Sequence, residues 1–309
     1  MNKKDESSKL FHIYFEGWVE LYKVGAVRDI TLNKYYMTKK KIQELAPDLK
    51  LCELTRTTYQ TLLNDYALTH EKQTTMDFHH QIKGAVLDAV EEGLITSNPT
   101  RKIIIKGKEP KEKRQKFLNQ FELQALLKQL NLTQELNWDW FILLIAKTGL
   151  RFSEALALTP EDFDFFNQTL TVNKTWNYKT SVGTFQPTKN KSSVRKIPID
   201  WQITMQFSNL VKNLEKDKPI FVETRVFNST INKRLNILCM QASIPIITLH
   251  SLRHTHASLL LFAGVSIASV ARRLGHSSMS TTQETYLHII QELENQDNDK
   301  IIRHLAMLG

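Results

Sequence analysis

The chain has 309 residues, of which 41% are hydrophobic and 24% are charged, a balance that is typical of folded globular proteins and excludes a disordered chain. A chain of this length is expected to form two domains of ordinary size. Lysine and arginine exceed aspartate and glutamate by nine, 41 against 32, and this excess favours a polyanionic partner over an acidic small-molecule substrate.

Cysteine content and hydropathy indicate the compartment. The two cysteines, Cys52 and Cys239, lie in apolar periodic segments, which argues against a disulfide framework or a zinc cluster and for a reducing environment. No stretch approaches the roughly 20 apolar residues that cross a bilayer, and the N-terminus lacks the apolar segment of a signal peptide. We therefore expect a soluble protein of a reducing cytosol, without a membrane partner.

The first hundred residues have the pattern of a helical domain. After a tail over residues 1–9 that is expected to be flexible, apolar residues recur at three- and four-residue spacing, as in Phe11, Phe15 and Trp18. Three more segments repeat this pattern, each opening near a Thr or Asp that can cap a helix: 31–45, 55–68 and 73–92. A glycine and an Asn-Pro step end the block, so residues 10–100 are predicted to form a four-helix domain.

A strongly basic segment follows at residues 101–116. It holds eight basic and two acidic side chains, hence a net charge of +6, and such a stretch is not expected to form a core. It is interpreted as a solvated linker or as a linker that lies along phosphate groups, and the two interpretations are compatible. The candidate phosphate contacts in it are Arg101, Lys102, Lys106, Lys108, Lys111, Lys113 and Arg114.

The remaining residues, 117–309, alternate between helical and extended patterns. Helical periodicity covers 117–130, 138–147 and 153–158. Between Phe165 and Ile199, β-branched and aromatic residues alternate in TLTVNKTW, GTFQPTK and VRKIPI, which predicts a three-stranded antiparallel element. Helical periodicity then returns. The predicted fold is mainly α with a small antiparallel β-sheet, as a helical domain followed by an α+β domain.

Strongly polar residues stand in five motifs of the second half where packing alone does not explain them. The motifs are TGLRFSEAL, PTKNKSSVRKIPI, TLHSLRHTHAS, RLGHSS and TTQETYLH, and their candidate residues are Arg151, Glu154, Lys189, His250, Arg253, His276 and Tyr286. This set suits phosphoryl transfer. Two guanidiniums can clamp the non-bridging oxygens of the transition state, a tyrosine hydroxyl can attack, and a lysine or histidine can protonate the leaving oxygen.

Residue spacing groups several of these candidates in pairs. His250 and Arg253 are three residues apart and are therefore neighbours on one helix face. Arg151 and Glu154 have the same spacing, which lets the carboxylate orient the guanidinium. Each arginine is thus predicted to have a polar neighbour on its own helix.

Other basic residues near these motifs have simpler interpretations. Lys189 directly follows a predicted strand and is preferred as the reacting lysine, whereas its neighbours on the hairpin are expected to hold backbone phosphates: Lys191, Arg195 and Lys196. Three further histidines lack metal-ligand company of the right type and are expected to be structural or to contact phosphate: His254, His256 and His288.

In their order along the chain, these motifs resemble the tyrosine recombinase family, the phage-integrase type of site-specific DNA recombinases. The resemblance covers about residues 117–286 and rests on the ordered set Arg…Lys…His-x-x-Arg…Gly-His…Tyr. The sequence EEGLITSNP also resembles the end of the family's core-DNA-binding domain. The resemblance implies these roles: Arg151 and Arg253 as the arginine pair, Lys189 as general acid, His250 as proton shuttle, His276 as hydrogen-bond donor and Tyr286 as nucleophile.

The resemblance also implies an architecture and partners. The helical domain and a catalytic domain over 117–309 would form a C-shaped clamp around duplex DNA, with the basic linker between them. Four protomers would synapse two DNA attachment sites and exchange strands through a 3′-phosphotyrosine intermediate and a Holliday junction, with no metal or nucleotide cofactor. An excision or directionality factor is a further partner of such integrases, and their work on DNA implies association with the nucleoid.

The two ends of the chain carry their own expectations. Many phage-type members have an additional small N-terminal domain for arm-type sites, and this chain begins almost directly with the helical domain, which indicates a shortened chain or a simpler recombinase. At the other end, the tail 287–309 is predicted to include an amphipathic helix that packs on its own domain or docks on a neighbouring protomer. Its apolar residues are Ile301, Ile302, Leu305 and Leu308.

Two other function classes remain as alternatives. A DNA-binding architectural or regulatory protein that has lost catalysis is disfavoured, because all six catalytic positions are intact. A type IB topoisomerase shares the chemistry but relaxes supercoils without a partner site. The small helical first domain favours site-specific recombination over this second alternative.

Overall fold

The computed structural model describes residues 3–109, 117–179, 182–286 and 306–307. The chain divides into two compact units, residues 1–113 and 114–309. Most of the tail 287–309, including His288 and the predicted amphipathic helix, lies outside the described residues. Within the described ranges, no helix has both the length and the apolar character needed to cross a bilayer.

The first unit is helical. Its helices are α1 (Lys3–Ser7), α2 (Phe11–Tyr22), α3 (Asp29–Leu45), α4 (Arg56–Ala67) and α5 (Lys72–Glu91), with a 3-10 turn at Leu51–Glu53. The expectation of a flexible tail over residues 1–9 does not fit α1. The end of this segment is tied to the unit because the N–H of Leu51 donates to the carbonyl of Lys9 at 2.9 Å and Leu10 forms a β-bridge with Lys50.

An apolar core joins these helices. Phe11, Phe15 and Trp18 of α2 belong to one buried cluster with Tyr59 of α4 and Ile82 of α5. The apolar residues of α2 recur every three or four positions, so this helix turns one face inward. The periodicity seen in the sequence is therefore the periodicity of this core.

Residues 101–109 pack onto the first unit, which differs from the solvated linker expected there. Ile103 and Ile105 are partly buried against the core. Between them, the N–H and carbonyl of Ile104 pair with the side-chain amide of Gln60 on α4, both at 2.8 Å. The alternation of the three isoleucines between core and solvent explains how so basic a segment still packs.

Gly107 allows this segment to approach α5 closely. A Cβ at this position would lie 2.2 Å from the backbone nitrogen of Lys72, and the next N–H, of Lys108, donates to the carbonyl of His70 at 2.8 Å. The basic side chains in the described part are exposed: Arg101, Lys102, Lys106 and Lys108. The other expected phosphate contacts, Lys111, Lys113 and Arg114, lie outside the described residues.

The second unit combines helices with short strands. Its helices are α6 (Gln120–Lys128), α7 (Trp138–Thr148), α8 (Phe152–Leu156), α9 (Trp201–Val211), α10 (Asn228–Gln241), α11 (Leu249–Phe262), α12 (Ile267–Leu274) and α13 (Met279–Thr285). Its strands are β1 (Phe163–Asp164), β2 (Thr169–Val172), β3 (Lys174–Trp176), β4 (Phe185–Pro187) and β5 (Arg195–Pro198). All of these strands lie between α8 and α9 in the chain.

The strands form two antiparallel sheets, and the prediction of a single three-stranded element is wrong in this respect. β1, β2 and β5 form one sheet in that order, with Leu170 opposite Phe163 on one side and Ile197 on the other. β3 pairs with β4 in a separate hairpin, with Trp176 opposite Phe185. The TLTVNKTW segment is divided because β2 and β3 pair with different partners.

Two apolar clusters stabilise the second unit. The larger one is built around α7, a helix that is apolar on almost every side and is buried along most of its length. The smaller cluster joins α11 and α12 to the end of α13, and its buried members are Ala257, Leu261, Val270, Leu274 and Tyr286. Helix α11 contributes to both clusters, since Leu249 and Leu252 belong to the larger one.

Candidate active site

Arg253 lies in the interior of the second unit, on α11. It is 3% exposed, and its two terminal nitrogens donate to the carbonyls of Gly149, at 2.6 Å, and Leu274, at 2.7 Å. Both carbonyls lie at the ends of helices, where backbone oxygens have no helical partner. Burial and the nearby charge of Arg151 lower the pKa of Arg253 to about 9, so it is still a cation at neutral pH.

Arg151 is held beside it by Glu154 and by the end of α12. Its Nη1 donates to Glu154 Oε1 at 2.6 Å, and its backbone N–H donates to Oε2 at 3.0 Å. Its Nη2 donates to the carbonyl of Gly275 at 2.9 Å. The two arginines therefore end on the consecutive carbonyls of residues 274 and 275, and the left-handed turn at Gly275, φ +68°, shapes this shared anchor.

Arg195 also binds Glu154, from the neighbouring strand β5. Its Nη2 donates to Glu154 Oε2 at 3.0 Å, and its Nε donates to the carbonyl of Arg273 at 2.6 Å. The Arg195 side chain is only 7% exposed, so the expected contact with backbone phosphates does not fit this geometry. Its guanidinium instead helps to orient the carboxylate that holds Arg151.

The carboxyl of Glu154 experiences opposing influences. It is 1% exposed, and burial raises its pKa. The hydrogen bond from Arg195 and the charges of Arg195 and Arg151 lower it, and the net effect is a pKa below the usual range. Glu154 is therefore ionised at neutral pH, and this buried anion keeps two guanidiniums in place.

Two of the predicted histidines lie near the arginine pair. The pKa of His250 is lowered mainly by burial, and to a smaller extent by the charges of Arg253 and Arg151. Burial and the same two arginines lower the pKa of His276 to about 4, and its Nδ1 lies 2.7 Å from the Thr282 hydroxyl on α13. Both imidazoles are therefore neutral at pH 7 and available for hydrogen bonding.

Tyr286 follows α13 and is buried in the smaller apolar cluster. It is 2% exposed, and burial raises its pKa to about 12 although Arg253 acts in the opposite direction. Its hydroxyl lies 2.9 Å from Nδ1 of His254 on α11. The phenol is thus neutral, hydrogen-bonded and within the electrostatic influence of Arg253.

The arrangement has the properties of an anion site. The charge of Arg151 disfavours the charged form of Arg253, and an oxyanion between the two guanidiniums would relieve this repulsion. Guanidiniums oriented in advance stabilise charge that develops on a bound phosphodiester. In the part of the chain that the structure describes, no group of three or more His, Cys, Asp or Glu side chains is arranged to hold a metal ion.

Comparison with known proteins confirms the family resemblance that was seen in the sequence. The profile of the phage integrase family matches residues 116–292. The integrase of Staphylococcus phage L54a is 25% identical over 97% of this chain and 96% of its own length, and the ICEBs1 integrase of Bacillus subtilis is 26% identical over 69% of this chain and 61% of its own. The chain belongs to the phage integrase family. It is an integrase of the tyrosine recombinase type, an enzyme of site-specific DNA recombination.

Solved structures show the same fold for this integrase. The integrase of transposon Tn1549, solved in complex with a circular intermediate DNA, superposes with a TM-score of 0.75 at 19% identity, over 90% of this chain and 94% of that one. A lambda integrase dimer bound to a core site gives a TM-score of 0.67 at 18% identity, over 91% and 78% of the two chains. The mainly helical fold with a small antiparallel sheet is thus that of the tyrosine recombinases.

Lys189 and Lys191 of the integrase lie on the surface. Lys189 follows β4 by two residues and is exposed, as is Lys191. Both side chains therefore lie outside the buried network of Arg151, Glu154 and Arg253. The roles of these two lysines remain predictions.

The contact between His254 and Tyr286 was missed from the sequence of the integrase, because His254 was interpreted as structural or phosphate-contacting. A signal for it was present. His254 lies four residues after His250, so the two side chains share a face of α11, and their ring centroids are 4.6 Å apart in a T-shaped arrangement. Because His254 shares a face with His250, the predicted proton shuttle, and directly follows Arg253, it was a candidate for the site.

His256 has a structural environment. It is buried on the other side of α11, where its Nδ1 lies 3.0 Å from the carbonyl of Ala146 and its Nε2 accepts a hydrogen bond from Arg273 Nε at 2.8 Å. Burial and the charge of Arg273 lower its pKa to about 3. This neutral imidazole joins α7 to α12, which agrees with one of the two interpretations made from the sequence.

Proposed function

We propose that this integrase cuts and rejoins DNA at specific attachment sites through a covalent 3′-phosphotyrosine intermediate, with Tyr286 as the nucleophile. The observation that supports it most is the convergence of two guanidiniums on the consecutive carbonyls of residues 274 and 275. The same unit holds a tyrosine hydroxyl within the electrostatic influence of Arg253. A phosphodiester whose non-bridging oxygens gain charge in the transition state suits such a site.

Arg151 and Arg253 bind the non-bridging oxygens of the scissile phosphate in this proposal. His276 adds a hydrogen bond from Nε2, because its Nδ1 is taken by the Thr282 hydroxyl. With Nδ1 accepting the hydroxyl proton, Nε2 carries the hydrogen that is donated to the phosphate. The three side chains together balance the charge of the pentacoordinate transition state.

The reaction itself exchanges one phosphoester for another. The Tyr286 oxygen forms a bond to phosphorus, and the bond from phosphorus to the 5′ oxygen breaks. Lys189 protonates that 5′ oxygen, with His250 as proton shuttle. Because the phosphotyrosine conserves the energy of the original linkage, a 5′ hydroxyl can later attack it and rejoin a strand without metal or nucleotide.

DNA binding in this proposal uses exposed basic residues of both units. In the first unit these are Arg101, Lys102, Lys106 and Lys108, and in the second Lys191. The C-shaped clamp around the duplex stays a prediction. Binding is expected to weaken steeply with salt, because each phosphate that is neutralised releases counterions.

Assembly is the remaining part of the proposal. Four protomers synapse two attachment sites, exchange strands through a Holliday junction, and dock their C-terminal tails on neighbouring protomers, with an excision or directionality factor as a further partner in the bacterial cytosol and nucleoid. Deletion of the residues from Asp297 onward is then expected to impair synapsis more than binding to a single site. Equal loss of both would argue that the tail packs on its own unit.

A nicked suicide substrate tests the chemistry. Such a DNA loses a short 5′ fragment after cleavage, so the covalent adduct accumulates and is counted on a denaturing gel. We expect an adduct with the wild type and none with Tyr286→Phe. An adduct that survives this substitution excludes Tyr286 as the nucleophile, and relaxation of any supercoiled plasmid by the monomer would favour a type IB topoisomerase.

A further inference from the structure

A second histidine of α11 touches the reacting atom of the proposed nucleophile. His254 Nδ1 lies 2.9 Å from the Tyr286 hydroxyl, and the two ring centroids are 5.7 Å apart. In this hydrogen bond, either the phenolic O–H donates to Nδ1 or an Nδ1–H donates to the phenolic oxygen. When the hydroxyl is the donor, Nδ1 accepts the phenolic proton and the hydrogen of the neutral imidazole is on Nε2.

We propose that His254 is a catalytic residue that takes the phenolic proton from Tyr286 as the tyrosine attacks DNA. The proposal rests on the proposed function, because it assigns a proton acceptor to the same nucleophile. It adds a role that is separate from those of Lys189 and His250, which act on the leaving oxygen.

The need for an acceptor follows from the surroundings of Tyr286. The ring packs among Ala257, Leu261, Val270 and Leu274, and burial disfavours the phenolate. Arg253 is the nearby cation that favours it, but this guanidinium already donates to two carbonyls and is assigned to the phosphate. Transfer of the proton to a neutral imidazole in contact with the hydroxyl avoids a free buried phenolate.

The step is balanced and reversible. As the bond from the Tyr286 oxygen to phosphorus forms, the proton moves to His254 Nδ1, the bond from phosphorus to the 5′ oxygen breaks, and that oxygen receives a proton from the leaving-group acid. During rejoining, the 5′ hydroxyl attacks phosphorus and gives its proton back to the group that had protonated the 5′ oxygen, which is Lys189 in the proposed function. The tyrosine oxygen then leaves and takes the proton back from His254.

Other titratable groups lie close to His254, so its effect on the reaction must be distinguished from theirs. The ring centroid of His250 lies 4.6 Å from that of His254 on the same helix, and Arg253 directly precedes His254 there. His276 interacts electrostatically with His254. Because these groups also change charge with pH or carry charge, the contribution of His254 is assigned only by comparison with variants that retain them.

Two substitutions separate proton transfer from positioning. His254→Asn keeps a hydrogen-bonding atom close to the position of Nδ1 but has no basic nitrogen, whereas His254→Ala removes both. We expect adduct formation on the nicked substrate to slow about 100-fold in both variants. Thermal unfolding and affinity for uncleaved DNA should stay at the wild-type level in His254→Asn, which shows that the fold is intact.

A substrate with sulfur in place of the scissile 5′ oxygen identifies the side of the reaction on which His254 acts. A thiolate leaves without protonation, so a defect in the leaving-group acid disappears on this DNA, and Lys189→Ala is the matched comparison. We expect this DNA to restore Lys189→Ala and to leave His254→Asn slow. Recovery of His254→Asn would assign His254 to the leaving group and overturn the proposal.

The pH profile of adduct formation completes the test. The wild-type rate is expected to fall in acid, because protonated His254 cannot accept a proton. His254→Asn retains His250 and His276, so only the part of this fall that His254 causes should be absent in that variant. A wild-type rate in His254→Asn, or a rate faster than wild type in His254→Ala, would overturn the proposal. Absence of any adduct with the wild type would instead contradict the proposed function itself.

Discussion

The two arginines of the site and the lysine of the neighbouring hairpin are positioned in opposite ways. Arg253 and Arg151 end on consecutive carbonyls of the same turn, and the buried carboxylate of Glu154 holds Arg151 a second time. Lys189 is exposed and follows β4, a strand whose three residues are all exposed. The protein alone orients the two arginines that are proposed to stabilise charge on the phosphate, whereas the proposed acid of the leaving oxygen is exposed to solvent.

This difference has an energetic meaning. Donors that are oriented before the substrate arrives need no reorganisation during the reaction, but their burial makes the fold depend on them. An exposed lysine contributes little to the fold and gives up rotamer freedom when it binds. Substitutions on the arginine side should therefore affect both stability and catalysis, and substitutions at Lys189 should affect catalysis alone.

Arg253→Lys is expected to have the largest effect. One ammonium group cannot reach the carbonyls of Gly149 and Leu274 and also present two donors to a phosphate. We expect adduct formation to slow about 1000-fold, measured on the nicked substrate at saturating enzyme. Arg272→Lys, at an exposed position of α12, is the control for loss of a guanidinium, and a comparable loss in both variants would contradict the special position of Arg253.

Glu154→Gln is expected to destabilise the protein by about 3 kcal/mol, because removal of the buried anion leaves two guanidiniums without their counter-charge. Urea unfolding of the whole chain measures this value. Glu161→Gln, an exposed carboxyl on the same unit, should leave the free energy of unfolding unchanged. An unchanged stability in Glu154→Gln would show that the hydrogen bonds to Glu154, and not its charge, hold the arginines.

The pH dependence of stability gives a second test of the same carboxyl. The pKa of Glu154 is lower in the folded chain than its ordinary value, so its ionised form stabilises the fold above a pH of about 4.3. This contribution is lost as the pH falls through the lower pKa of the folded state. The acid loss of stability should thus be smaller in Glu154→Gln than in the wild type, and parallel curves would contradict the shift.

Lys189→Ala is expected to slow adduct formation about 100-fold without a change in thermal unfolding, because the side chain is exposed. Lys191→Ala, two residues further along the hairpin, is expected to weaken DNA binding and to leave the rate at saturating DNA intact. A lower unfolding temperature in Lys189→Ala would end the contrast with the arginines, since it would reveal a structural role for the lysine.

Part of the site and of the fold could be predicted because it depends on residues that are close together in the sequence. The three-residue spacing of Arg151 and Glu154 predicted the contact that the structure shows. The helical periodicity of the first hundred residues predicted α2 to α5, and it placed Phe11, Phe15 and Trp18 on the face of α2 that is buried. These features depend on neighbours within one or two helical turns, which is the range that a sequence pattern records.

The features that were missed depend on partners far away in the chain. Arg195 and Ile197 are two residues apart on β5 and therefore face the same side, so the burial of Ile197 indicated that Arg195 also points inward, but its partner Glu154 is 41 residues distant. The packing of residues 101–109 depends in the same way on Gln60, 44 residues before Ile104. Charge alone suggested a linker there, and only tertiary contacts overrule that suggestion.

Ser193→Ala is expected to have the smallest effect, and it tests the link between the two sides of the comparison. The Ser193 hydroxyl donates to Asn190 Oδ1 at 2.6 Å, next to Lys189, and receives a long hydrogen bond of 3.4 Å from Arg151 Nη1. Its loss is expected to cost about 1 kcal/mol and to slow adduct formation about fivefold. Ser192→Ala is the matched control, because its exposed hydroxyl donates to the same Asn190 oxygen at 3.0 Å and has no bond to Arg151. Equal effects of the two substitutions would mean that the hairpin and the arginine pair are positioned independently.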